Sequence, residues 1–408
     1  MTYLYDAVRT PRGRGHATDA PAPGGLSHLA PHELVRQLVD ALLVRSPSLN
    51  AEQVGMLLLS CVGQVDSQGG HIALVSKLAA ALPDRCAATT LNNYCAGGLT
   101  AINLGSAWAH TAAEQLVLAG GVEMLSQVPF LADQAHLYTK PEVRDALGWM
   151  PAPLGSEIVG ALDGFTRKDL DNVTLRSHQR AAAAWAQGHF DRAIVPIKNA
   201  DGSVALAKDE WVRPNLTLEK LATLPSLFAD DETSAITKAA ITHHFPDVGN
   251  IQFTHTAGHV PGFTDGAALA MIGSRAAGER AGLRPRAQIV ANAEVGGDSI
   301  LQFGAGFDAM ECAMRDADMS LDDLDLIEFM EAFAAPPLRF ERRYQPDMDR
   351  VNVNGGHLAM GHPMGATGAV LLSVLIDELE RRDKETGMVV TLGATGVGSA
   401  LIIRRVDH

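Results

Sequence analysis

Short, unbroken apolar runs alternate with stretches of helical period along most of this chain. That alternation is the strongest constraint on its fold. Val54–Cys61 (VGMLLLSC) and Gln115–Ala119 (QLVLA) are brief and almost wholly apolar. Strands of this kind are buried on both faces. Around them, residues 31–46 place Leu34, Leu38, Leu42 and Leu43 at helical spacing, and Ile72–Leu82 is alanine-rich and helical. The pattern returns from Ile251. Ala267–Ile272, Ala287–Ala293, Leu324–Phe329 and Met388–Leu392 read as strands, and Phe307–Ala317 and Ala369–Arg381 as helices. Tyr3–Val8 reads as the first strand. The expectation is an α/β chain whose parallel or mixed sheet is covered on both faces. Each half holds strands, a Gly-rich turn, a helix and a closing strand. That hints at duplication, although no residue-level repeat is visible.

With 408 residues the chain exceeds what one core usually supports. From about Leu125 to Asn250 prolines cluster and strands are hard to find. One helix stands out there, with Thr166 as N-cap and Leu170, Val173, Ser177, Ala181, Ala184 and Trp185 in step, stopping near Gly188. This region reads as an inserted loop subdomain over a site, and Ala229–Asn250 carries no firm pattern.

Asn92-Asn93-Tyr94-Cys95-Ala96-Gly97-Gly98-Leu99 lies between a strand and a helix. Cys95 then sits near a helix start, where free N–H groups and the helix dipole favour a thiolate. That suits a nucleophile; the alternative is a buried, inert cysteine. His362 lies in Gly361-His362-Pro363, within a stretch (352–368) that holds five glycines. A histidine held there can activate a thiol or donate to an oxyanion, or be an ordinary loop histidine. Gly393-Ala394-Thr395-Gly396 follows an apolar strand, and its N–H groups can face a ligand oxygen or form a plain strand connection.

The net charge of −14 argues against nucleic acid or an anionic membrane as partner. Four scattered cysteines without a C-x-x-C favour neither a disulfide framework nor a metal site. No run reaches transmembrane length, and the N-terminus lacks a signal-peptide layout. A cytoplasmic protein is expected.

Several motifs, in order across both halves, resemble those of the thiolases. They are Val8-Arg9-Thr10-Pro11, the Cys95 stretch, Ala119-Gly120-Gly121-Val122-Glu123-Met124, and Leu175-Arg176-Ser177 with Gln179-Arg180-Ala181-Ala182. Thr256-Ala257-Gly258, Asp265-Gly266-Ala267-Ala268, Glu331-Ala332-Phe333-Ala334 and Asn352-Val353-Asn354-Gly355-Gly356 running into Gly361-His362-Pro363 complete the set. The resemblance implies a five-layered αβαβα fold of two similar halves. The N-terminal half is residues 1–124 with 251–275, the loop subdomain 125–250, and the C-terminal half 276–408. It also implies CoA thioester substrates, with coenzyme A as substrate or product and no permanently bound cofactor, and a homodimer or homotetramer. By motif, Cys95 is the acyl-accepting nucleophile and His362 its base and later an oxyanion donor. The N–H of Cys95 and one from the Gly393–Gly396 turn form the other oxyanion hole.

The departures matter as much. Met330 stands where the family has an asparagine that positions a water, a task beyond a thioether. The family's second cysteine, which moves the α-carbon proton, corresponds to Gly393, or to Leu392 if the gap is placed differently. No cysteine follows Cys312. His259 and Pro261 replace the usual Asn and Ser, and the loop-subdomain histidine is absent near Pro151–Gly155. Losing an oxyanion donor costs ~10²–10³ in rate and losing a general acid ~10²–10⁴. His357, where a small residue is usual, and His259 are the candidate replacements; for His357 the other reading is a packing substitution. The readings are therefore a thiolase acting on 3-oxoacyl-CoA, an acyl-CoA acyltransferase or hydrolase without carbon–carbon chemistry, and a non-catalytic thiolase-like binding protein.

Overall fold

The computed structural model describes residues 1–15, 23–112, 114–228, 238, 241–246 and 251–406. In chain order the strands are β1 (Thr2–Arg9), β2 (Gly13–Arg14), β3 (Val54–Ser60), β4 (Ala87–Leu91), β5 (Leu116–Met124) and β6 (Ile197–Lys198). They continue with β7 (Val204–Leu206), β8 (Thr264–Ser274), β9 (Ala287–Gly296), β10 (Leu326–Phe329), β11 (Thr386–Gly393) and β12 (Val397–Arg405). The main helices are α1 (Pro31–Arg45), α2 (Ile72–Ala79), α3 (Gly97–Thr111), α4 (Ala152–Leu162), α5 (Arg167–Ala186), α6 (Ala305–Asp316), α7 (Ala335–Tyr344) and α8 (Thr367–Arg381).

The sheet contains two runs, β4-β3-β5-β8-β1 and β9-β12-β11-β10. In the first, β3 is parallel to β4 and β5, and β8 is antiparallel to β5 and β1. In the second, β10 is parallel to β11, and β12 is antiparallel to both β11 and β9. Antiparallel pairs from Thr2↔Ile289 to Leu4↔Ala287 stitch the runs together. Helices α1 and α2 cover the outside of the first run, α3 and α8 lie between the runs, and α6 covers the second. The result is the five-layered αβαβα order. One apolar core fills the middle and second sheet, and another lies between α1 and the first sheet. The fully buried β5 and β11 explain why their sequences carry no polar alternation.

The inserted region departs from its sequence reading in two places. Helix α4 begins directly after Pro151 and takes Pro153 in its first turn. Proline fits there, since that N–H has no intrahelical partner, so prolines that looked like breakers mark a helix start. Regular α/β structure also does not resume at Ile251. Residues 251–263 hold one short 3₁₀ turn, Ala257–His259, before β8 begins at Thr264. Helix α5 follows expectation: Thr166 and Asp169 form a reciprocal capping box, and Gly188 follows its end with φ +71°. The patternless stretch 229–250 lies largely outside the described residues.

Candidate active site

Two Gly-rich turns from opposite halves interlock at the starts of α3 and α8. A Cβ on Gly98 would sit 2.7 Å from the Gly365 carbonyl oxygen, and one on Gly368 would sit 2.3 Å from the Leu99 nitrogen. Any side chain there would wedge the turns apart. Their contact brings Cys95 and His362 together, with Nε2 3.1 Å from Sγ. His362 Nδ1 lies 2.7 Å from Thr367 Oγ1, at the first position of α8. With Nδ1–H donating to Thr367, Nε2 offers its lone pair to the thiol. The His362 main-chain N–H donates to Gly262 O at 2.9 Å, fixing the loop from the β8 side.

The pair rests uncharged. Burial pushes the Cys95 thiol up to about 12, although hydrogen bonds from the N–H groups of Ala394 and Cys95 itself favour its thiolate. Burial, and then the Arg12 charge, pull His362 down to about 3. This corrects the expectation of a helix-stabilised thiolate. Cys95 lies in the 3₁₀ turn Tyr94–Ala96, one turn short of α3, and desolvation outweighs the donors.

Gly393 faces Cys95 closely: a Cβ there would lie 3.2 Å from Cys95 Cβ. Beyond it, Thr395 (φ +61°) and Gly396 (φ +78°) take left-handed backbone, and Gly396 O accepts from Gly297 N at 2.7 Å. That turn aims the Ala394 N–H at the Cys95 sulfur. Met330 is fully buried in the central core, its N–H donating to Val390 O.

The two candidate replacement histidines do not meet Cys95. His259 Nε2 lies 2.7 Å from Asp171 Oδ1, and its Nδ1 accepts from Thr256 N at 3.1 Å. Both nitrogens are spent holding the 3₁₀ turn to α5, and burial takes its pKa to about 4 despite Asp171. His357 is 0% exposed, edge-on to His362 with ring centroids 5.6 Å apart. Neither of its nitrogens has a hydrogen-bond partner among the described residues. Burial, then Arg12, His362 and Arg9, hold it well below the usual histidine range. It is fully buried, and its ring contact is with His362.

Three further groups support the pair; Glu123 and Glu331 enter the sequence reading only as motif members without a role, and Asp209 not at all. Asp209, in the inserted region, takes a bidentate bond from Arg9 (2.8 and 3.0 Å) and the Arg12 N–H at 2.8 Å. Burial raises its pKa, but the two arginines outweigh that and leave it lowered. Glu123 accepts from the N–H groups of Val62 (2.9 Å), Gly63 (3.0 Å) and Gly365 (3.1 Å), tying the His362 loop to β5. An acid near the end of an apolar strand is the signal that marks it. Glu331 accepts from Ser177 Oγ at 2.7 Å and Leu358 N at 3.1 Å, clamping the His357 segment to α5.

A cysteine and a neutral histidine in contact, beneath converging N–H donors, make an acyl-transfer site of the Cys–His type. The family comparisons agree. The model of the thiolase N-terminal domain matches residues 3–242, and that of the thiolase C-terminal domain residues 283–405. A beta-ketoadipyl-CoA thiolase of Acinetobacter baylyi is 32% identical, covering 99% of both chains. A 3-ketoacyl-CoA thiolase of Klebsiella pneumoniae is also 32% identical at 99% coverage of each. Among solved structures, the Bacillus anthracis acetyl-CoA acetyltransferase aligns with a TM-score of 0.83 at 30% identity, covering 99% of this chain and 98% of that one. Human mitochondrial 3-ketoacyl-CoA thiolase aligns with 0.84 at 28% identity, covering 100% and 99%. The chain belongs to the thiolase family, and it is a thiolase-type acyltransferase acting on acyl-CoA thioesters.

Proposed function

We propose that the protein cleaves 3-oxoacyl-CoA with coenzyme A, or runs the reverse condensation, through an acyl group carried on Cys95. The 3.1 Å contact between Cys95 Sγ and His362 Nε2 carries this reading. His362 takes the thiol proton as Sγ bonds to the 3-oxo carbon. The C2–C3 bond breaks, and its electron pair leaves as the enolate of the shortened CoA thioester. His362 passes the proton taken from Cys95 to C2 of this enolate, which releases the shortened CoA thioester and restores the neutral base. Coenzyme A then attacks the acyl-Cys95 carbonyl, gives its proton to His362, and releases Cys95 as a thiol. The N–H groups of Cys95 and Ala394 stabilise the thioester oxyanion, with Gly393, Thr395 and Gly396 shaping the turn. Met330 supplies no donor to the opposite oxyanion, which leans on His362 alone.

His357 and His259 are positioning residues: the first packs behind His362, and the second fixes the 3₁₀ turn to α5. Coenzyme A is substrate or product, and no cofactor is retained. The division into 1–124 with 251–275, 125–250 and 276–408 is our reading of the domains. Among the described residues no helix is long and apolar enough to cross a membrane. We place the enzyme in the cytoplasm as a homodimer or homotetramer, to be read by light scattering.

The test is thiolysis of acetoacetyl-CoA with intact-mass detection of the acyl-enzyme. Wild type should form a Cys95 adduct and release acetyl-CoA, and Cys95→Ala should do neither. Absence of adduct from every acyl-CoA would sink the reading. Gly393 in place of a thiol favours a second reading, acyl transfer without carbon–carbon cleavage. Adduct formation from acetyl-CoA without thiolysis of any 3-oxoacyl-CoA would select it.

A further inference from the structure

The cleft beside Cys95 carries information about the acyl group. Met364, whose Sδ lies 3.9 Å from Cys95 Sγ, forms one wall, and Tyr94, the residue before Cys95, forms another. Val128, Phe130 and Leu131 continue the apolar lining. The empty volume of the cleft is ≈ 360 Å³, its open mouth included.

Its charge is one-sided. Asp133 and Glu123 both line it, and among the described residues no Lys, Arg or His does. Glu123 is held in place by the N–H groups of Val62, Gly63 and Gly365, and burial raises its pKa, so the negative charge at this cleft is that of the exposed Asp133. Asp133 is exposed at the opening and acts on the Tyr94 hydroxyl, whose pKa burial first and then Asp133 raise. A second carboxylate entering here would lose water, meet like charge and find no cation to replace what it lost.

We propose that this cleft receives the acyl tail, favours uncharged acyl groups, and rejects those ending in a carboxylate, with Asp133 as the specificity-determining residue. The proposal rests on the reading that Cys95 carries the acyl group. It separates this chain from the beta-ketoadipyl-CoA thiolase of Acinetobacter baylyi, whose acyl group ends in a carboxylate.

Butyryl-CoA and succinyl-CoA make the direct test, because both deliver four carbons and only the second ends in a carboxylate. The rate of Cys95 acylation is followed by intact mass. Butyryl-CoA should acylate at least about 10-fold faster than succinyl-CoA. Asp133→Lys should narrow that ratio at least about 5-fold, through faster acylation by succinyl-CoA. Asp133→Asn, which removes the charge at constant size, should fall between. Equal rates for the two donors in wild type, or an unchanged ratio in both variants, overturns the proposal while leaving Cys95 as nucleophile. Absence of any adduct, or an adduct that survives Cys95→Ala, overturns the nucleophile reading and the cleft proposal with it.

Discussion

Arg12 Nη1 donates to the carbonyl oxygen of Gly361 at 3.2 Å, one residue before His362. Its Nη2 lies 3.0 Å from Met360 Sδ and 3.5 Å from Asp209 Oδ2. Gly361 has φ +86°, a conformation that only glycine adopts without strain, so the base sits on a bend that is gripped rather than free. Three parts of the chain meet at this guanidinium: the end of the first strand, the inserted region and the histidine loop. The grip also places a buried positive charge near the His362 imidazole.

That charge gives the first prediction. His362 works as a base only when neutral, and Arg12 is the second cause, after burial, of its depressed pKa of about 3. Arg12→Gln removes the like charge, so the pKa rises and the acid limb of the Cys95 acylation profile moves to higher pH, by about one unit. Arg12→Lys keeps a charge but loses the forked grip, so the limb should stay while the rate falls about 10-fold. A limb that shifts equally in both variants would mean that loop geometry, not charge, sets it.

How far the sequence exposed this arrangement follows from how local each feature is. Cys95 and His362 were readable because each lies in its own Gly-rich turn between a strand and a helix, and turn chemistry is short-range. Helices α1 and α5 were readable for the same reason, from apolar spacing and a capping pair. Helix α4 was hidden because proline at a helix start looks like proline in a loop. Asp209 was hidden because its partners, Arg9 and Arg12, lie about 200 residues away, and nothing local distinguishes it from neighbouring polar residues. The resting protonation of Cys95 was misjudged because the helix dipole is a local term and desolvation a global one. His357 drew notice as an unusual residue near the base, but only packing reveals that it is sealed in.

Asp265 supplies a pH-dependent prediction. It is fully buried, accepts from Ser126 N at 2.8 Å, and its Oδ2 has no hydrogen-bond partner among the described residues. Burial raises its pKa to about 7, with the Ser126 hydrogen bonds opposing. A folded pKa above the unfolded value means that the native state holds the proton longer. Stability from this group is therefore full below about pH 4 and falls as pH rises to about 7, above which the buried charge costs its maximum. Asp265→Asn keeps the acceptor for Ser126 and removes the charge. Denaturant unfolding should find the variant more stable than wild type at pH 8, by up to ~4 kcal/mol, and little different at pH 4. Equal differences at both pH values would place the effect in packing.

His357 tests whether an unusual histidine near a base must share its work. Among the described residues its nitrogens lack partners, and its ring lies edge-on to His362. Replacing an unsatisfied buried polar group with an apolar one of similar size is close to neutral or stabilising. His357→Leu should therefore unfold at the same or higher denaturant concentration, with Cys95 acylation within about threefold of wild type. A loss of ~10² or more, with folding intact, would give His357 a proton-transfer role.

Gly393 decides what the enzyme lacks. Its backbone is extended at φ −151°, which any residue adopts, so a side chain there is limited by space alone. A Cβ would lie 2.9 Å from Val397 Cγ2 and 3.2 Å from Cys95 Cβ, contacts that a small shift relieves. Gly393→Cys therefore folds, at a cost of about 1 kcal/mol, and puts a second thiol beside the first. If His362 alone carries the α-carbon proton in the wild type, a dedicated acid should raise thiolysis of acetoacetyl-CoA by about 10-fold or more. The rate of Cys95 acylation by acetyl-CoA, which needs no proton at carbon, should stay within about twofold. Stopped-flow thiolysis and intact-mass acylation, run on the same preparation under reducing conditions, separate the two steps. A gain in both would mean that the new thiol merely reshapes the turn. A gain in neither would mean that His362 already delivers the proton as fast as the site allows, leaving the Cys95–His362 pair as a complete acyl- and proton-transfer unit.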